Sequence, residues 1–162
     1  MADHLLAAGL TGVNLRALAA AAGTSNRMLL YYFTDKDELL AATLACVAAR
    51  LTAKLDAAVP AGELLRFAAL LPAVWAAVGS PALRPYMRLW LELAAGAAHG
   101  QQPHASVAAQ LMAGFADWAG GHLDGGADEA ALLLAVVEGA LFLDAVGRRD
   151  LADRAVAAAA RR

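Results

Sequence analysis

The sequence predicts an all-α protein, a compact module of short helices followed by a larger C-terminal helical bundle, on three observations. Alanine and leucine dominate a chain that is 60% hydrophobic and 17% charged, without one isoleucine in 162 residues, a composition that favours helix over strand. Apolar residues recur at three- and four-residue spacing, most clearly Leu40, Leu44, Val47, Leu51 and Leu55. Helix caps and glycine stops follow one another closely over residues 1–40 and more sparsely afterwards. A mean hydropathy of +0.52 excludes a disordered chain. The length suits one core with a small module attached, divided as 1–45 and 46–162.

The elements follow in order. A short apolar start, Leu5 and Leu6, ends at Gly9, and Asn14 is a good N-cap for a helix over 15–22 that Gly23 stops. Ser25 caps a second short helix over 26–32. Asp35, with Glu38 three residues on, forms a capping-box pattern ahead of Leu39 and Leu40 and opens a long helix over 36–59, closed by Pro60. Further helices are expected over 62–78, kinked by Pro72, over 85–98 with proline in its first turn, and over 106–119. Asp128 is expected to cap a strongly apolar helix over 128–146. Asp150 is expected to cap the last, over 150–162, where Arg161 and Arg162 suit the negative end of the dipole. Residues 100–103 and the glycine pairs at 120–121 and 125–126 mark loops.

Several function classes are disfavoured. A net charge of −2 offers no overall basic excess, so any binding of nucleic acid must rest on a local motif. A single cysteine, Cys46, rules out a disulfide framework and a cysteine-based zinc site; it is expected to be a small buried residue. The N-terminus lacks the pattern of a signal peptide, so a cytoplasmic protein is expected. The apolar stretches 64–78 and 130–146 are interrupted by Arg66 and Pro72, and by Glu138 and Asp144, and read as buried helices, not membrane spans. His99 and His104 have no carboxylate cluster beside them, and no nucleophile–base pair, phosphate loop or HExxH is found. No metal site, cofactor or catalytic residue is therefore expected.

The informative stretch is 15–40. Ala19, four residues before Gly23, and Leu29 beyond the turn have the spacing of a helix-turn-helix: Ala19 small where two helices cross, Gly23 in the left-handed turn, Leu18 and Leu29 sealing the gap. With Gly23, Ser25, Leu29, Tyr32, Phe33, Lys36, Leu39 and Leu40 in register, the stretch resembles the TetR family of bacterial transcriptional regulators. The remainder resembles the family in architecture alone. The chain also departs from it, since only residues 3–8 precede Gly9, so that most of the family's first helix is missing.

The resemblance makes 26–32 a recognition helix that points Ser25, Asn26, Arg27 and Met28 into the major groove. Arg27 suits guanine, Asn26 adenine and Met28 a thymine methyl. It places Tyr31, Tyr32 and Lys36 on phosphates, with amides from the start of the long helix; Arg16 reads equally as a phosphate contact or a solvated side chain. As helix neighbours, Tyr31 and Tyr32 cannot face the same way, so one is expected to pack, while Leu29 and Phe33 are expected in the core. The module sets Arg16, Arg27 and Lys36 against Asp3, Asp35, Asp37 and Glu38, a weak footprint for DNA that calls for two heads acting together.

For the bundle the resemblance implies an effector cavity for a small apolar or aromatic molecule. Phe67, Trp75, Tyr86, Trp90, Met112, Phe115 and Trp118 are the candidate lining, with Glu92 as polar orienter. Residues 128–162 carry Leu132, Leu133, Val136, Val137, Leu141 and Leu143, more than one face can bury, so a two-fold homodimer is expected there. Two reading helices would then stand about 34–36 Å apart on a pseudo-palindromic, double-stranded operator. The resulting expectation is a dimeric, ligand-responsive regulator, a repressor with no membrane partner. The alternative is a helical ligand-binding or interaction protein that has lost DNA binding with its first helix.

Overall fold

The computed structural model describes residues 1–11, 13–59 and 63–161. Its helices in chain order are α1 (Ala2–Ala8), α2 (Leu15–Ala21), α3 (Asn26–Tyr32), α4 (Lys36–Ala58), α5 (Phe67–Val78), α6 (Arg84–Ala98), α7 (His104–Gly120), α8 (Gly126–Ala145) and α9 (Arg149–Ala159). Among the described residues there is no strand, only one isolated parallel bridge between Leu65 and Leu123. The all-α class predicted from composition and periodicity is what the chain adopts.

Two compact units emerge. The first joins Met1–Leu51 with Pro85–Leu111, the second Thr52–Arg84 with Met112–Arg162. In the first, Leu5, Leu18 and Leu39 are fully buried beside Leu40, Leu44 and Val47, the apolar stripe of α4. Leu93 of α6 is equally buried. Thr43, a buried polar side chain on α4, donates to the Leu39 carbonyl at 2.8 Å, which satisfies its hydroxyl within the helix.

In the second unit α8 packs on α9, and both pack on α5. Leu70, Leu71 and Val74 of α5, Leu133, Val137 and Leu141 of α8, and Ala152 and Val156 of α9 are among its buried residues. Trp75 is tied to α9 twice: its indole N–H donates to Asp153 at 2.8 Å, and the Arg149 guanidinium lies 4.4 Å from the ring centroid. That indole N–H, with Arg149 behind it, holds the Asp153 carboxyl below its ordinary value. The Trp118 indole N–H donates to Asp56 at 2.6 Å, and the Trp118 ring stacks with His122, whose Nδ1 donates to the Trp118 carbonyl at 2.7 Å.

Most element boundaries fall within two residues of expectation, and the exceptions have causes. The predicted start at Gly62, the closing Pro60 and the end at Arg162 lie outside the described residues. Helix α5 begins only at Phe67, because Leu65 is engaged elsewhere: its N–H donates to the His122 carbonyl and its carbonyl accepts from Asp124. Pro72 sits inside α5 without ending it. Asp128 and Asp150 lie in first turns and do not cap; the N-caps are Gly125 and Arg148, neither with a side-chain hydrogen bond. Asp150 instead pairs with Arg148 at 3.1 Å, which lowers the acid's pKa. Cys46 is exposed, not buried as expected, since it lies off the inward stripe formed by Leu44 and Val47.

Candidate nucleic-acid interface

The hairpin of α2 and α3 is built by its own polar residues. The Asn14 side chain accepts from the Ala17 amide at 3.0 Å and starts α2. At the other end Gly23 adopts φ +65, while the amides of Gly23 and Thr24 turn back to the carbonyls of Ala20 and Ala19. A Cβ at Gly23 would meet nothing within 4 Å, so the glycine is needed for its backbone conformation and not for space. Ser25 then accepts from the Met28 amide at 3.3 Å and starts α3. Leu18, Ala19 and Leu29 are buried where α2 meets α3.

Only Leu29 of α3 is buried, which leaves the rest of that helix to solvent. Ser25, Asn26, Arg27 and Met28 are all exposed, as are Arg16 and Lys36. Among the described residues none forms an ion pair with Arg16, Arg27 or Lys36, so these three cations are unengaged. Arg27, Met28, Leu30 and Tyr31 line an open recess on this face.

Two expectations for the module are corrected. Tyr31 and Tyr32 are both exposed, at 78% and 69%, and neither packs into the core; they meet each other edge to face with ring centroids 5.1 Å apart. Phe33 is half-buried. At the start of α4 part of the expected amide donation is already taken, since Asp35 accepts from the Glu38 amide at 2.8 Å and Glu38 from the Thr34 amide at 2.6 Å. Asp37 adds a further negative charge in that first turn.

Leu30, 50% exposed beside Arg27 and Tyr31, was not anticipated as a surface residue. Its signal was the helical period: with Leu29 inward, the next residue turns about 100° outward.

The expected effector residues do not gather in one unit. Tyr86, Trp90 and Glu92 belong to the first, whereas Phe67, Trp75, Met112, Phe115 and Trp118 belong to the second. Glu92 is put to another use, accepting from the Leu10 amide at 2.5 Å next to the end of α1. Phe67 and Trp75 are buried, Met112, Phe115 and Trp118 half-buried. His104 packs its ring against Gly96. Among the described residues no group of His, Cys, Asp and Glu converges as metal ligands would.

On α8 the inner face is buried, but Leu132 and Phe142, with Val146 at the C-cap, stand 36%, 61% and 56% exposed on the other side. Gly139 lies between them, with nothing within 4 Å of where a Cβ would be. Among the described residues no helix is long and apolar enough to cross a membrane.

Comparison with known proteins agrees with this geometry. The fold is similar to that in the crystal structure of a transcriptional regulator from Rhodococcus sp. Rha1, with a TM-score of 0.71 and 24% identity over 98% of this chain and 89% of that one. No curated protein matches. Residues 2–43, the span of α1 to α3 and the start of α4, match the family model of bacterial regulatory proteins, tetR family, which are regulators and not enzymes. The likeness to the tetR family model is thus confined to this head, and over the rest of the chain the likeness is one of fold.

Proposed function

We propose that this protein is a dimeric transcriptional repressor that binds a pseudo-palindromic operator through α3 and is released by a small apolar or aromatic effector. One observation carries the reading: the leading side chains of α3 are exposed, and its arginine has no ion-pair partner among the described residues. Arg27 reads guanine, Asn26 adenine, and Met28 packs on a thymine methyl. Tyr31, Tyr32, Arg16 and Lys36 hold phosphates and fix the register, and Ser25 enters the groove beside Asn26. Two copies pair through the outer face of α8 with α9, where Leu132, Phe142 and Val146 need cover and Gly139 allows close approach. In the second unit the effector meets Met112 and Phe115, which are half-buried, since the indole N–H groups of Trp75 and Trp118 are already engaged. The protein acts in the cytoplasm, where its operator is.

The test is selection of duplexes from a random-sequence pool, followed by titration. Arg27→Ala should weaken the selected duplex by about 1–3 kcal/mol while leaving random duplex nearly unaffected. Equal discrimination in variant and parent would discard the assignment of α3. A chain that retains no duplex at low salt would favour a helical ligand-binding protein, a reading supported by the acidic start of α4.

A further inference from the structure

The seven residues of α1 are too few to hold a helix on their own, so its position is set by whatever grips it. Leu5 is fully buried, and Asp3 meets Arg50 of α4 at 2.7 Å in an exposed pair. The stronger grip comes from α6. Arg88 Nη2 donates to the carbonyls of Leu6 and Ala7 at 2.9 and 3.0 Å, supplying partners to acceptors that a helix end leaves unmatched. One turn further along α6, Glu92 accepts from the amide of Leu10, just past the corner. At that corner Gly9 has φ +79, a conformation that favours glycine, and a Cβ there would lie 2.6 Å from both Glu92 carboxylate oxygens, so a side chain would push the carboxylate off the Leu10 amide.

A cation on the last carbonyls and an anion on the following amide form a two-pronged clamp on main-chain groups. Such a clamp responds to where the backbone lies and breaks over a displacement of about 1 Å. We propose that Arg88 and Glu92 are positioning residues that fix α1 to α6 and, through the chain that continues into the α2–α3 hairpin, hold the reading helix in one orientation. This rests on the proposed DNA-binding function and deepens it by naming what holds the head.

The experiment compares the full-length parent with Arg88→Ala/Glu92→Leu and with Glu92→Gln, which keeps an acceptor for the Leu10 amide. Hydrogen exchange should rise by about tenfold over residues 2–33 in the double variant and stay unchanged over α8, while Glu92→Gln stays near the parent. On a duplex selected by the parent, a base pair inserted between half-sites should cost the parent about tenfold or more in affinity, and the double variant about threefold or less. Unchanged exchange, a rise that includes α8, or undiminished sensitivity to the insertion would each overturn the clamp. If the parent selects no duplex, the DNA-binding reading fails by itself; the exchange result then still decides, a confined rise upholding the clamp and no rise refuting it.

Discussion

Helices α3 and α8 both leave large apolar side chains in solvent, yet they do so with different chemistry. On α3, Met28, Leu30, Tyr31 and Tyr32 are interleaved with Ser25, Asn26 and Arg27, so apolar surface comes with donors and phenolic hydroxyls. On α8, Leu132 and Phe142, with Val146 at the C-cap, are accompanied by Gly139 and exposed alanines. The first face suits a polar, grooved partner whose bases and phosphates need hydrogen bonds. The second suits a surface like itself, with dispersion and exclusion of water as the driving terms. Exposure alone does not distinguish the two faces; the polar residues among the apolar ones do.

The comparison can be broken most severely at α8. Leu133, 1% exposed, faces inward, and Leu133→Ala should lower unfolding free energy by about 2–5 kcal/mol in a denaturant titration. Phe142→Glu, on the outward face, should leave that unfolding energy nearly unchanged while weakening self-association by about a hundredfold or more, read by sedimentation. If instead Phe142→Glu unfolds the chain, the outer face belongs to the fold and not to assembly.

On α3 the effects are smaller. Ser25→Ala removes the cap on the Met28 amide and should cost about 1 kcal/mol of helix stability, with binding to selected and random duplex weakened together. That pattern separates a loosened helix from a lost base contact. Smallest is the acid dependence of the second unit. Because the Asp153 pKa is lowered in the folded chain, its contribution is present above the ordinary value of 3.8 and lost as pH falls through the lowered native value. Asp153→Asn should therefore flatten the stability–pH curve only at its acidic end, with no change near neutrality, as followed by Trp fluorescence.

Much of the hairpin was legible because its determinants are local. Asn14, Ser25 and Asp35 each cap a helix within a few residues of themselves, and Gly23 supplies its own turn. Cys46 could also have been placed, since the period that buries Leu44 and Val47 turns it outward. What escaped depends on distant partners. The late start of α5 follows from a bridge to Leu123, and the use of Glu92 from a contact 82 residues away in sequence. The paired exposure of Tyr31 and Tyr32 escaped for another reason: α3 buries only Leu29, so neither tyrosine has a core to enter. The aromatic residues were grouped by type in the sequence, whereas the contacts that divide them between two units are set by the tertiary fold.

The shortage of positive charge around α3 has a consequence for how such a protein would find its site. With Arg16, Arg27 and Lys36 as the unengaged cations of one head, two heads displace few counterions, and the logarithm of affinity should fall with the logarithm of salt no more steeply than about −5. The same economy would make arbitrary genomic sequence a poorer resting place, so that search relies less on long sliding, and occupancy would fall less steeply with salt than for a regulator with more basic heads.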